Sequence, residues 1–166
     1  MIIDILPMEY VFKHAWILFL FVTVINAFLG KKSTKKLSDQ NPELKEGYNN
    51  YFKGYITLGS MPWILMGLGV LTGQAESIFD FFNPRSEKWI IQLFFGYLII
   101  IWMLGIWWIY FKKGAEFIEE HPGLVQRRTL SGKSNVTARQ VKIFFPLMLF
   151  GGIMAIVLMW NMNLPF

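Results

Sequence analysis

Cysteine is absent from the chain, which excludes disulfides, thiolate nucleophiles, Cys-ligated zinc and iron–sulfur clusters. That absence leaves the redox compartment open. Histidine occurs only at positions 14 and 121, and charged residues make up 16% of the chain, against roughly 25% in soluble domains. A Gly-rich phosphate loop, G-x-S-x-G and H-E-x-x-H are missing too.

Hydrophobic residues are plentiful, at 54% of 166 residues. They are clustered in long runs, which points to one integral membrane domain. In a soluble protein the net charge of +5 would suggest nucleic acid. Here it points to loops held against an anionic leaflet, with no nucleic-acid partner. The stretch "MIIDILPMEYVFKHAW" has no basic n-region and carries Asp4 and Glu9, so the first run is expected to be a retained span rather than a cleaved signal peptide. No lipidation motif is evident at either end.

Four runs have the length needed to cross a bilayer, about 17–25 residues: residues 10–30, 55–73, 89–111 and 143–160. Orientation follows from where Lys and Arg fall. Loop 31–54 holds Lys31, Lys32, Lys35, Lys36, Lys45 and Lys53. Loop 112–142 holds Lys112, Lys113, Arg127, Arg128, Lys133, Arg139 and Lys142. Elsewhere there are only Lys13, Arg85 and Lys88. Both termini are therefore expected outside, with loops 31–54 and 112–142 cytoplasmic. A bacterial inner membrane is the default location. Trp16, Trp89 and Trp160 then form an outer aromatic belt, and Trp107, Trp108 and Tyr110 an inner one. Lys31, Lys32, Lys35, Lys36, Lys112 and Lys113 are expected to contact anionic lipid.

The loops carry patterns of their own. In "NPELKEGYNNYFKGY", Asn41 and Pro42 read as a helix start. Leu44, Tyr48, Tyr51, Phe52 and Tyr55 follow on one helical face, with Lys45, Glu46, Asn49, Asn50 and Lys53 opposite. This predicts a short interfacial amphipathic helix before the second span. "SIFDFFNPR" places Ile78, Phe79, Phe81 and Phe82 ahead of a turn; it dips into headgroups, caps the bundle or meets a partner. "KKGAEFIEEHPGL" is expected to extend the third helix until His121-Pro122-Gly123 stops it, with Glu116 paired to Lys112 or Lys113. Thr137 and Gln140 have capping-box spacing for the fourth helix. "RRTLSGKSN" reads as a mobile linker. The sequon Asn135-Val136-Thr137 would go unused on the cytoplasmic side.

Chemistry is hard to find. No Asp, Glu or Arg falls inside a span, and Lys13 and His14 sit at an outer edge. Proton-coupled transport of the kind run by small multidrug carriers needs an intramembrane glutamate that this chain lacks. His14 at the outer edge and His121 beyond the inner end cannot share a haem within one chain. In "EFIEEH", Ile118 stands where a Glu-x-x-His metal motif needs a carboxylate. Met8, Met159 and Met162 near His14 would suit Cu(I), but such spacings carry little information. Glu116, Glu119, Glu120 and His121 would serve an interfacial enzyme, yet read more simply as a solvated helix face. No catalytic residue, cofactor or metal ligand is assigned.

Small residues are the strongest remaining signal, since they let helix backbones approach in lipid. Gly69-x-x-x-Gly73 with Gly59 makes one strip on the second span, and Ser60 with Gly67 another. Pro62 would bend the wheel, and Gly151-x-x-x-Ala155 gives the fourth span a similar groove. Asn26 and Thr57 fall at matching depth for a hydrogen bond, Trp63 and Trp102 both fall near the midplane, to pack together or to line a small cavity, and Gln92 is a further intramembrane polar group.

The sequence thus predicts an all-α, integral membrane four-helix bundle. The leading function is a non-enzymatic accessory, assembly or scaffold subunit, with a membrane-protein partner or a second copy. One alternative is a homo-oligomeric pore whose polar path, between chains, comes from Asn26, Thr57, Ser60 and Gln92. The other is a membrane-bound cofactor- or lipid-binding enzyme.

Overall fold

The structure is a computed structural model that describes residues 8–129 and 132–161. Among these, five α-helices dominate: α1 Met8–Gln40, α2 Lys45–Leu71, α3 Trp89–Phe111, α4 Gly114–Glu120 and α5 Ala138–Asn161. A two-stranded antiparallel ribbon, β1 Gln126–Thr129 and β2 Gly132–Asn135, lies between α4 and α5. The stretch expected to be a mobile linker is thus largely ribbon, paired from Gln126 with Asn135 to Thr129 with Gly132. Leu130 and Ser131 lie outside the described residues.

All four long helices are long and apolar enough to cross a membrane. Two outrun their apolar runs. α1 has 33 residues, roughly 50 Å at 1.5 Å per residue, and carries its helix through Gly30 and the lysines to Gln40. Asn41 closes it, its backbone and side-chain N–H groups both donating to Leu37 O. After a single 3₁₀ turn, Pro42–Leu44, α2 runs unbroken to Leu71. The predicted interfacial helix is therefore not a separate element. Residues 45–54 are the first turns of α2, and their apolar face is covered by protein. Tyr48 and Phe52 are buried, with the Phe52 ring 2.7 Å from where a Cβ on Gly30 would stand.

The helices pack in a row: α1 on α2, α2 on α3, α3 on α5, with no packed seam between α1 and α5. The all-α expectation holds, while the packing is serial rather than closed. α5 has no buried residue. It is held at one end by α4 and along its length by two glycine contacts. Gly152 faces the Trp102 ring, and Gly105 of α3 faces the Phe145 ring, each with 2.8 Å from the position of an added Cβ to the nearest ring atom.

Prolines sit inside both α2 and α5. Pro62 cannot donate to Leu58 O, nor Pro146 to Lys142 O, four residues earlier. The Tyr97 hydroxyl donates to Leu58 O at 2.7 Å and the Tyr110 hydroxyl to Lys142 O at 2.7 Å. Both tyrosines belong to α3, so one helix satisfies a carbonyl on each neighbour.

The main core lies where α2 turns into α3: Leu65, Met66, Val70, Ala75, Ile78, Phe81, Ile90, Ile91 and Phe94 are buried together. The aromatic loop folds into it as a 3₁₀ turn, Ile78–Phe82, capped by the Ser77 hydroxyl accepting from Phe79 N–H. Asp80 ties the loop to α3 through an ion pair with Lys88 at 2.9 Å. Of the three readings open for this loop, the structure shows a cap on the helices: Phe81 is 1% exposed.

At the opposite, basic end, α3 does not continue through Lys112. Lys113 adopts φ 56°, in the left-handed region, where a non-Gly residue is uncommon and breaks the helix. Trp108 packs so closely over Gly114 that a Cβ there would lie 2.6 Å from the ring. The chain then restarts as α4. Glu116 pairs with Lys142 of α5, not with Lys112 or Lys113. Glu119 accepts from Ala138 N–H at the start of α5. Thr137 and Gln140 form the reciprocal capping box, at 3.1 and 3.3 Å.

Candidate functional site

The polar groups expected within the membrane do not meet. Asn26, Thr57 and Gln92 are exposed, and no hydrogen bond joins Asn26 to Thr57. The polar contact between α1 and α2 is instead Trp63 Nε1–H donating to Thr23 Oγ1 at 2.9 Å. Thr23 is buried, and its own hydroxyl donates a hydrogen bond to Phe19 O at 3.0 Å. Trp63 stacks on Phe19, with ring centroids 4.7 Å apart, and does not pair with Trp102. The sequence signal for Thr23 was available: a hydroxyl in an otherwise apolar run, at the depth of an indole needing an acceptor.

The small residues divide by role. Gly67 receives the Trp16 ring and Gly69 the Phe81 ring, each with less than 3.0 Å to spare for a Cβ. Gly59 touches Thr23 in ordinary contact, and Ser60 is buried with no partner for its hydroxyl. Gly73 and Gly151 have nothing within 4 Å of a Cβ. Gly73 has φ +71°, so it is needed for chain reversal rather than packing. On α5 the close contact belongs to Gly152, and Ala155 is half-buried.

The basic end holds the densest chemistry. His121 is 5% exposed, not on a solvated face. Its Nδ1 is 2.8 Å from Phe117 O. The ring stacks on Phe117 and meets Tyr48 edge-on, with centroids 3.9 and 5.0 Å away. Gly47 makes the room, since a Cβ there would stand 2.0 Å from His121 Nε2. Tyr48 donates to Pro122 O at 2.8 Å, fixing the turn that Gly123 completes with φ +88°. A buried imidazole thus docks α4 and its turn onto α2. Glu116, outside this packing, has its carboxyl held below the ordinary range by the hydrogen bond from Lys142.

Beside this platform a groove of about 500 Å³ opens between the basic ends of α1 and α2. Lys31, Lys32, Lys35 and Asp39 come from α1, Lys45 and Asn49 from α2, with Phe28 at its apolar end. Lys36 is exposed outside the groove. Lys112 lies 5.0 Å over the Trp107 ring. A smaller cleft of about 180 Å³ on the same helix pair is lined by Asn26, Gly30, Tyr51, Phe52, Tyr55 and Leu124.

Of the residues read for metal chemistry, Met162 lies outside the described residues. His14 sits 4.4 Å from Tyr10, ring to ring. Among the described residues, no three His, Asp or Glu side chains are gathered where they could hold a metal. The chain matches no known protein family, no characterised protein and no solved structure.

Proposed function

We propose that this chain is a non-enzymatic integral membrane protein that serves as an accessory, assembly or scaffold subunit of a membrane complex. One observation carries the reading: the serial packing leaves α5 without a single buried residue and α1 open along most of its length. A long helix held through Gly152, Gly105, the Tyr110 hydroxyl, Arg85 over Trp160 and a terminal clasp, with no residue fully buried, is well placed to be completed by another membrane protein. On this reading the basic end lies on the cytoplasmic side and the capped loop outside, as the distribution of lysine and arginine favours. Native mass spectrometry of gently extracted protein tests it. A stoichiometric heteromeric partner is expected, and a chain that emerges alone under every mild detergent would overturn it.

The exposure of Asn26, Thr57 and Gln92 favours a second reading, a pore built between copies. That reading requires a closed homo-oligomer and bilayer conductance that disappears with Asn26→Leu.

A further inference from the structure

The groove between the basic ends of α1 and α2 has a lining unusual for an accidental cleft. Its α1 wall is one helical face: Phe28, Lys31, Lys35 and Ser38 follow one another at steps of three and four, with Lys32 beside Lys31, four residues after Phe28. Four lysines, three from α1 and Lys45 from α2, face a single carboxylate, Asp39. So much like charge on one short face is repulsive unless an anion sits among it.

A hydroxyl adds a second, independent sign. Ser38 lines the groove, and although the residue is only 8% exposed, its hydroxyl opens onto the groove and makes no hydrogen bond to any described residue. A hydroxyl on a helix often finds its partner in the preceding turn's backbone. Thr34, one turn earlier, does so by donating to Gly30 O at 3.0 Å. Asn49, half-buried on the α2 wall, likewise leaves its amide unused. The third sign is the groove's polarity along its length. Phe28 is 66% exposed at the end from which the apolar run of α1 continues. A ligand filling this groove therefore has phosphate chemistry at one end and hydrocarbon at the other.

We propose that the groove seats the headgroup of a phospholipid carrying two phosphates, with its acyl chains lying along Phe28. Basic pockets between membrane helices recognise such headgroups. Two phosphates offset two of the three excess positive charges of the lining, whereas a single phosphodiester offsets only one. The lysines supply the attraction, and the Ser38 hydroxyl and Asn49 amide supply donors of fixed position. The site requires only that the chain lies in a membrane and is independent of whether it acts as a scaffold or a pore.

Native mass spectrometry of the full-length protein in maltoside micelles, titrated with lipid, tests the assignment. Tetraoleoyl cardiolipin is expected to be retained at least about tenfold more tightly than dioleoyl phosphatidylglycerol. Lys32→Gln with Lys35→Gln weakens it about 30-fold, and Ser38→Ala by a few fold. Ser33→Ala, one step off the groove, leaves it unchanged. Lys112→Gln with Lys113→Gln removes the same charge elsewhere at this end and changes it by no more than about twofold. Equal retention of the two lipids, equal loss in both lysine pairs, or no effect of Ser38→Ala would each show diffuse attraction to an anionic surface and overturn the site. Inorganic pyrophosphate displacing the lipid at comparable concentration would overturn the lipid assignment in favour of a soluble phosphate.

Discussion

The hydroxyl of Tyr97 donates to the carbonyl of Leu58 at 2.7 Å, the one carbonyl of α2 that Pro62 deprives of its helical donor. In hydrocarbon an unmet carbonyl costs several kcal/mol, so the tyrosine makes the proline tolerable. Removing the bond by Tyr97→Phe is expected to cost about 0.6–1.7 kcal/mol. In a Pro62→Ala background the new N–H at 62 takes over Leu58 O, and the same change should cost almost nothing. Reversible unfolding in mixed micelles, followed by tryptophan fluorescence, measures this cycle. Strict additivity would show that the pairing is incidental.

Neighbouring glycines on α5 should behave differently. Gly152→Ala drives a methyl into the Trp102 ring and is expected to destabilise by about 1–3 kcal/mol. Gly151→Ala meets open space and should be neutral or slightly stabilising. Thermal melts of the two variants in detergent decide it, and the opposite ranking would refute the seam between α3 and α5.

The third prediction concerns the buried imidazole. Gly47→Ala leaves no room for His121 and should loosen α4, seen as faster proteolysis within residues 112–125. Gly54→Ala, where nothing lies within 4 Å, should not. Combining Gly47→Ala with His121→Ala removes the clash, so the added effect of the alanine at 47 should vanish. If it persists, the glycine is there for backbone reasons alone.

Acidification should act on the clasp between α4 and α5. The hydrogen bond from Lys142 is the main cause lowering the Glu116 carboxyl pKa. A group depressed in the folded state contributes stability above its unfolded value, and that contribution fades as pH falls through the folded one. The pairing is therefore expected to be intact at neutral pH and lost only below the ordinary carboxylate range. Carbon-detected NMR titration of Glu116 should show this, with Lys142→Met returning the midpoint upward. An unchanged midpoint in that variant would remove Lys142 as the cause.

Orientation is open to direct labelling, because the chain has no native cysteine. Ser77 caps the loop, so the exposed Glu76 beside it is the better probe. Glu76→Cys should react with a membrane-impermeant maleimide in intact cells, and Arg139→Cys only after permeabilisation. The reverse pattern would invert the topology.

The four long apolar helices were legible because length and apolarity are local properties, needing no knowledge of neighbours. The capping box at Thr137 and Gln140 was legible for the same reason. What escaped depended on partners or on backbone sign. Gly73 and Gly69 have the spacing of a packing motif, yet Gly73 sits two residues past Leu71, the last of the helix, where a positive φ reverses the chain. Gly151 and Gly152 differ only in which face of α5 they occupy, and nothing in the sequence says where α3 lies. The break at Lys113 was concealed by a charge pattern that suits a continuing helix; the small Gly114 under Trp108 was its only trace. His121 looked like a solvated end because the glycine that houses it, Gly47, is 74 residues away. The groove was half legible: its lysines were visible as a cluster, but the unpartnered Ser38 and the facing Lys45 required the fold.

That α3 meets the orphan carbonyls of both α2 and α5 has a consequence for biosynthesis. The second helix leaves the ribosome before its partner exists, so its bend at Pro62 stays unsupported until Tyr97 has been translated and threaded beside it. The last helix, by contrast, emerges to find Tyr110 already waiting. A chain stalled between residues 71 and 97 would therefore expose a raw backbone acceptor, whereas one stalled before Pro146 would not, giving quality-control machinery a recognisable early intermediate.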